Sequence, residues 1–235
     1  MSNRHLSTQF DAELSGVSSR VLEMGGLVES QVGKAIASMT AFDGELAAEV
    51  LREEVRVNRF ELDIDRELSG IIALRQPTAR DLRLLIAISR ITANLERVGD
   101  EAARTARVVQ RLLAVGLPNR LRLPVTDLQF ESDMAIDLLR KALDSFARLD
   151  TVAALEVIKQ DRQIDNEFEG LLRKLITYMM EDPRTISSCI DLVFVAKAVE
   201  RVGDHAKNLA EAVIYIVKGT DVRHSPMEAV EDAVG

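Results

Sequence analysis

One five-residue string occurs twice in this chain, as Glu96-Arg97-Val98-Gly99-Asp100 and as Glu200-Arg201-Val202-Gly203-Asp204. On a helix, Glu and Asp four positions apart project from one side, about 5 to 6 Å from each other, so both can offer oxygen ligands to one cation. Without a cation the two charges repel. Glycine costs a helix about 1 kcal/mol relative to alanine, so Gly99 and Gly203 point to a backbone or ligand that approaches closely. An antiparallel preceding helix would bring Glu53, Glu54 and Asn58 to the level of the first string. The same reflection brings Asp161 and Asp165, another pair spaced by four, to the level of the second. Two readings of these acids are open. One is a surface groove for a divalent or trivalent metal, with Glu96, Asp100, Glu54 and Asn58 in one half and Glu200, Asp204, Asp161 and Asp165 in the other. In the other, Glu96 and Asp100 fall about 120° to 160° from the apolar stripe and face solvent beside Arg90, Arg97, Arg104, Arg107 and Arg111, as a charge-mixed helix face.

Other chemistry has little to stand on. His5, His205 and His224 have no zinc-pair or nucleophile-relay spacing. The chain has no Gly-x-x-x-x-Gly-Lys loop and no Glu-x-x-His of the kind helical di-iron enzymes place in a bundle core. Cys189, in an apolar stretch, reads as a small buried hydrophobe.

The elements that position these residues are helices. From Leu84, apolar residues recur at Ile88, Ile91, Leu95, Val98, Ala102, Ala106, Val109 and Leu113, in steps of three and four. Similar stripes, punctuated by few prolines, predict helices over Thr8 to Ala41, Gly44 to Arg75, Thr78 to Val115, Pro124 to Leu149, Asp150 to Glu181 and Arg184 to Val217. Short links make consecutive helices antiparallel. Both strings fall in the third helix of a half, 104 positions apart and a similar distance after Pro77 and Pro183, which indicates a duplicated unit. The predicted fold is all-α, two tandem three-helix bundles over residues 1–117 and 118–219, followed by a flexible tail over 220–235.

Composition bounds the function. Among 235 residues 47% are hydrophobic and 29% charged, enough for a core with a wet surface. A net charge of −8, 4% aromatics and no Trp argue against nucleic-acid binding. No run of about 18 apolar residues is present, so direct membrane insertion is not expected and the chain reads as cytoplasmic.

The ordered set Gln9-Phe10-Asp11-Ala12-Glu13-Leu14, Gln76-Pro77-Thr78-Ala79-Arg80-Asp81-Leu82-Arg83, the two strings, and Lys218-Gly219-Thr220-Asp221-Val222-Arg223-His224 resembles the PhoU family of bacterial phosphate-signalling accessory proteins, from about His5 to His224. The resemblance implies two similar three-helix bundles and no catalysis. It implies a cytoplasmic negative regulator of phosphate uptake and of the phosphate-starvation response, an adaptor between the phosphate ABC transporter, through its cytoplasmic ATPase subunit, and a sensor histidine kinase. A homodimer is expected on the same ground. Family members bind Fe, Zn or other metal ions through E/D-x-x-x-D motifs, which correspond here to Glu96 with Asp100 and Glu200 with Asp204, supported by Asp161 with Asp165. The first-bundle partner pair departs from the pattern, reading Glu54 with Asn58, and an amide oxygen is the weaker ligand. The alternative from another class is a metal-dependent hydrolase or a metal-storage protein that uses the clustered carboxylates.

Overall fold

A computed structural model describes residues 8–115 and 124–235. Its helices are α1 (Thr8–Ala41), α2 (Gly44–Arg75), α3 (Ala79–Val115), α4 (Val125–Arg148), α5 (Thr151–Glu181), α6 (Ile186–Lys218) and α7 (Met227–Val234), with a 3-10 turn at Pro183–Thr185 before α6. The first six fall within two residues of the sequence-based boundaries. The expected Pro-bounded link between the halves, and the 117/118 division within it, lie outside the described residues.

The same local chemistry turns the chain twice. After α1, Phe42 takes a left-handed φ of 52°, the Asp43 N–H donates to the Ser38 carbonyl at 2.9 Å, and Asp43 Oδ1 accepts from the Glu45 and Leu46 amides. After α4, Leu149 has the same φ of 52°, the Asp150 N–H donates to the Ser145 carbonyl at 2.9 Å, and Asp150 Oδ1 accepts from the Val152 and Ala153 amides. Each aspartate satisfies amides at a helix start that have no carbonyl partner within the helix. Aligning the two turns aligns the core stripes: Val21, Met24, Val28, Val32, Ala35 and Met39 of α1 correspond to Leu128, Glu131, Ala135, Leu139, Ala142 and Phe146 of α4. One position breaks the pattern, with Glu131 standing where the first bundle has Met24.

Helices α1–α3 form one bundle and α4–α6 the other, and the two share one continuous hydrophobic core. They meet through α3 against α6 and α1 against α4. The third helices run antiparallel, since Asn94 bonds Asn208, Glu101 pairs with Arg201, and Arg111 pairs with Asp191. Each is therefore packed on three sides, by both helices of its own bundle and by the other third helix. Arg83 near the start of α3 lies against Gly219, the left-handed cap of α6 with φ 77°, where a cation complements the helix carbonyl end. Between α1 and α4 the approach is closer. A methyl group at Gly25 would stand 2.5 and 2.8 Å from the two Cδ atoms of Leu143, and Arg140 pairs with Glu29 beside it.

The segment from Thr220 differs from the expectation of a tail without regular structure. Val222 is buried in a turn and α7 packs Val230 and Val234 onto α5 and α6. The Lys218 ammonium donates to the Val234 carbonyl at 2.7 Å, and Lys159 pairs with Glu231 at 2.7 Å. Met227, Val230 and Val234 are a helical stripe, but two turns are too few to stand out in a sequence.

Gly25→Ala is expected to destabilise the protein by about 1 to 3 kcal/mol, because the added methyl must displace a branched side chain in a closed interface. Urea unfolding checks this; an unchanged midpoint would mean that the α1–α4 seam yields freely.

Candidate functional site: two acidic clusters flanking a cleft between α3 and α6

In the second bundle the structure brings the four expected acids to one level. Asp161 of α5 is buried and its Oδ2 accepts from the Lys207 ammonium at 3.0 Å. Burial pushes its carboxyl above the usual range, Lys207 opposes the shift, and Asp165 and Asp204 add to it. Asp204 is raised by burial first and then by Glu200 and Asp165, against Lys207 and Lys197. The close neighbours of Gly203 are side chains, where a backbone or ligand was expected: a methyl group there would lie 2.9 Å from Ile164 Cδ1 and 3.2 Å from Asp161 Oδ1. Glu200 is 9% exposed; its Oε1 holds the Lys197 ammonium at 2.5 Å, while its Oε2 is buried without a hydrogen-bond partner.

Sequence reasoning missed one deeply buried acid, Glu131. Glu131 is 1% exposed and neither carboxylate oxygen has a hydrogen-bond partner. Burial, reinforced by the charges of Glu200 and Glu167, pushes its pKa up to about 8, so it holds its proton at neutral pH. The available signal was a charged residue inside the apolar stripe of α4, at the place of Met24.

The first cluster is looser and shares its charge with arginine. Burial raises Glu96, with Asp100, Glu61 and Glu54 adding to the shift and Arg97 opposing it. Glu61 is raised by burial and then by Asp65 and Asp100. Glu54 accepts Arg107 Nη2 at both oxygens, at 2.7 and 2.8 Å, and Asn58 is exposed. Glu53 is buried against the Lys34 ammonium at 2.5 Å.

Neither open reading of the acids survives unchanged. Glu96 and Asp100 are half-covered and Glu200 is buried, because third helices packed on three sides have little free face. The arginines mostly tie helices together: Arg107 to Glu54, Arg111 to Asp191, and Arg90 to Asp221 at 3.5 Å while its guanidinium lies over the Tyr215 ring at 5.1 Å. Nor do the carboxylates form a coordination shell. Among the described residues no three His, Cys, Asp or Glu side chains converge so as to hold a metal ion. As they stand the acids do not fit a preformed metal centre; Lys197 and Lys207 supply countercharge in the second cluster and Arg107 in the first.

Between the clusters lies a cleft of about 560 Å³ lined by Arg97, Asp100, Glu101 and Arg104 of α3 and by Arg201, Asp204, His205 and Asn208 of α6. These are four pairs, each 104 positions apart, so the cleft sits on an approximate twofold axis at the level of Gly99 and Gly203. The repeated string thus faces two ways, its glutamate toward an acidic cluster and its arginine toward the shared cleft. Buried Glu101 accepts from Arg201 at 2.9 Å and lies 3.1 Å from Arg104. Its counterpart His205 is pushed down to about 4 by burial and by Arg97 and Arg201, so it is neutral. The Asn94 amide oxygen can only accept, so His205 Nδ1 donates to it at 2.9 Å.

A family model described as the PhoU domain matches residues 21–109 and 130–213. A curated relative from Burkholderia sp, the phosphate-specific transport system accessory protein PhoU homolog, is 49% identical over the whole of both chains. Among solved structures, PhoU from Pseudomonas aeruginosa superposes with a TM-score of 0.83 at 44% identity, covering 90% of this chain and all of the other. The phosphate transport system regulatory protein PhoU from Streptococcus pneumoniae superposes with 0.82 at 26% identity, covering 91% and 99%.

The Glu131 carboxyl is raised in the folded state, so the stability it contributes is fully present below its unfolded value near 4.5 and is lost as pH rises toward about 8. Glu131→Met, which restores the first bundle's residue, should therefore raise the melting temperature by roughly 4 °C or more at pH 8.5, with a smaller gain at pH 4.5. A gain that is the same at both pH values would mean the proton is not held as described.

Proposed function

The chain belongs to the PhoU family, and we propose that it is an accessory protein of phosphate-specific transport that represses phosphate uptake and the phosphate-starvation response. It acts from the cytoplasm, without catalysis of its own, as an adaptor between the cytoplasmic ATPase subunit of the phosphate ABC transporter and a sensor histidine kinase. The observation that carries this reading is the match of both bundles to one family model, together with full-length identity to a curated accessory protein. Two features support it. Among the described residues no helix is long and apolar enough to cross a membrane. The third helices are locked together by ion pairs, which suits a rigid body that presents surfaces more than one that closes on a substrate. Deleting the gene should derepress the starvation response in high phosphate; normal repression in the deletion strain would overturn the adaptor reading.

We further propose that the acidic clusters take up Fe, Zn or another divalent or trivalent cation by displacing the basic side chains that neutralise them, and that the second bundle does so more tightly. Asp161, Asp165, Glu200 and Asp204 offer four carboxylates, whereas Glu54 is held by Arg107 and Asn58 is neutral. Hard cations bind through oxygen count and charge. Binding should weaken as pH falls, since Asp161 and Asp204 hold protons above the usual carboxylate range. Titration calorimetry of metal-free protein with Fe, Zn, Mn and Mg salts should show a larger loss of affinity for Glu200→Gln than for Glu96→Gln. Equal losses would remove the asymmetry, and no loss from either would leave the lysines and Arg107 as the counterions. Phosphoester turnover abolished by Asp204→Asn would favour a metal-dependent hydrolase instead.

A further inference from the structure

Helix α7 is eight residues long, below the roughly 12 to 15 at which an isolated helix becomes even marginal in water, so it exists because α5 and α6 hold it. What they offer is specific. Val230 and Val234 are buried, Lys159 of α5 pairs with Glu231 at 2.7 Å, and Lys218 of α6 donates to the Val234 carbonyl at 2.7 Å, where the last turn ends. Among helices, α7 touches only α5 and α6. The turn that delivers it lies over buried Glu211, whose carboxyl is raised by burial and feels His224 and Arg223. The first bundle has no such ground. In place of buried Glu211 and Ile214 it has exposed Arg107 and exposed Gln110.

We propose that the α5–α6 groove beneath α7 is a docking site for the last turns of an acidic amphipathic helix of a partner protein, and that α7 is its built-in competitor. The occupant is fixed by the groove's chemistry: apolar side chains four apart for the sites of Val230 and Val234, a carboxylate between them for Lys159, and a helix end whose carbonyl Lys218 can cap. Such a helix replaces α7 without disturbing the six-helix body, and α7 swings away on residues 219–226, which are non-helical. Affinity for the partner is then reduced by the fraction of time α7 is seated.

The test uses the full chain carrying Val230→Asp and Val234→Asp, which empties the groove, and a labelled peptide with the sequence of residues 226–235 as the probe. The peptide should bind this variant saturably and bind the wild-type chain about tenfold or more weakly, because α7 competes. Adding Lys159→Glu to the variant should weaken peptide binding about fivefold, the share of an exposed ion pair. No binding to a variant whose circular dichroism shows the six long helices intact would overturn the proposal. So would amides of α7 in the wild-type chain that exchange only as slowly as the core of α6, since a strap that never opens cannot be replaced. Wild-type self-association abolished by Val230→Asp would make a second copy the occupant and overturn the partner reading.

Discussion

The antiparallel contact between α3 and α6 is the constraint from which most of the molecule follows. Each of these helices already carries the core stripe of its own bundle, so a contact with the other covers a further face and leaves little surface for solvent. Charged residues on such a helix have to be matched. Arg111 with Asp191 and Arg201 with Glu101 match across the contact, Asn94 with Asn208 and His205 fills its middle, and Arg107 reaches back to α2. Exposed ion pairs contribute little each. Buried Glu101, facing Arg201 and Arg104, is another matter, since removing its partners would strand a charge in the interior.

The same constraint explains why the two acidic clusters differ although the string that founds them is identical. In the second bundle α4 and α5 supply further acids, Glu131, Asp161 and Asp165, and protons or the ammonium groups of Lys197 and Lys207 on α6 itself stand against the crowded negative charge. In the first, Met24 stands where Glu131 would be, and Arg107 neutralises Glu54. The string sets the height of each cluster along its helix, and the flanking helices set how much charge gathers there and how dry it is.

The helices, their order and the duplication were legible because each stripe runs for many turns, and the turn aspartates Asp43 and Asp150 mark the starts of α2 and α5. The level of the acids was legible too, because reflecting an antiparallel helix across a short link needs only counting. Three things were not. The burial of Glu200 depends on α4, which sequence spacing within α5 and α6 does not reveal. Glu131 interrupts an apolar stripe, and a single acid in such a stripe reads as a boundary or an exposed position. Helix α7 presents only Met227, Val230 and Val234, and its helicity is imposed by the groove it enters. In each case a tertiary neighbour, and no local preference, decides the outcome.

The approximate axis through the cleft means that this chain is in effect two halves of one pattern joined by a peptide link. Two separate identical halves would be bound to keep the same residue at corresponding sites, so any change on one side would appear on the other. Joined halves are released from that rule. Glu101 could become a buried acid that accepts from Arg201 and lies beside Arg104, while its counterpart became a neutral histidine, and Arg104 could keep its charge opposite Asn208. A cleft built by copying can in this way acquire a left and a right, so that whatever approaches along the axis meets a surface that tells its two sides apart.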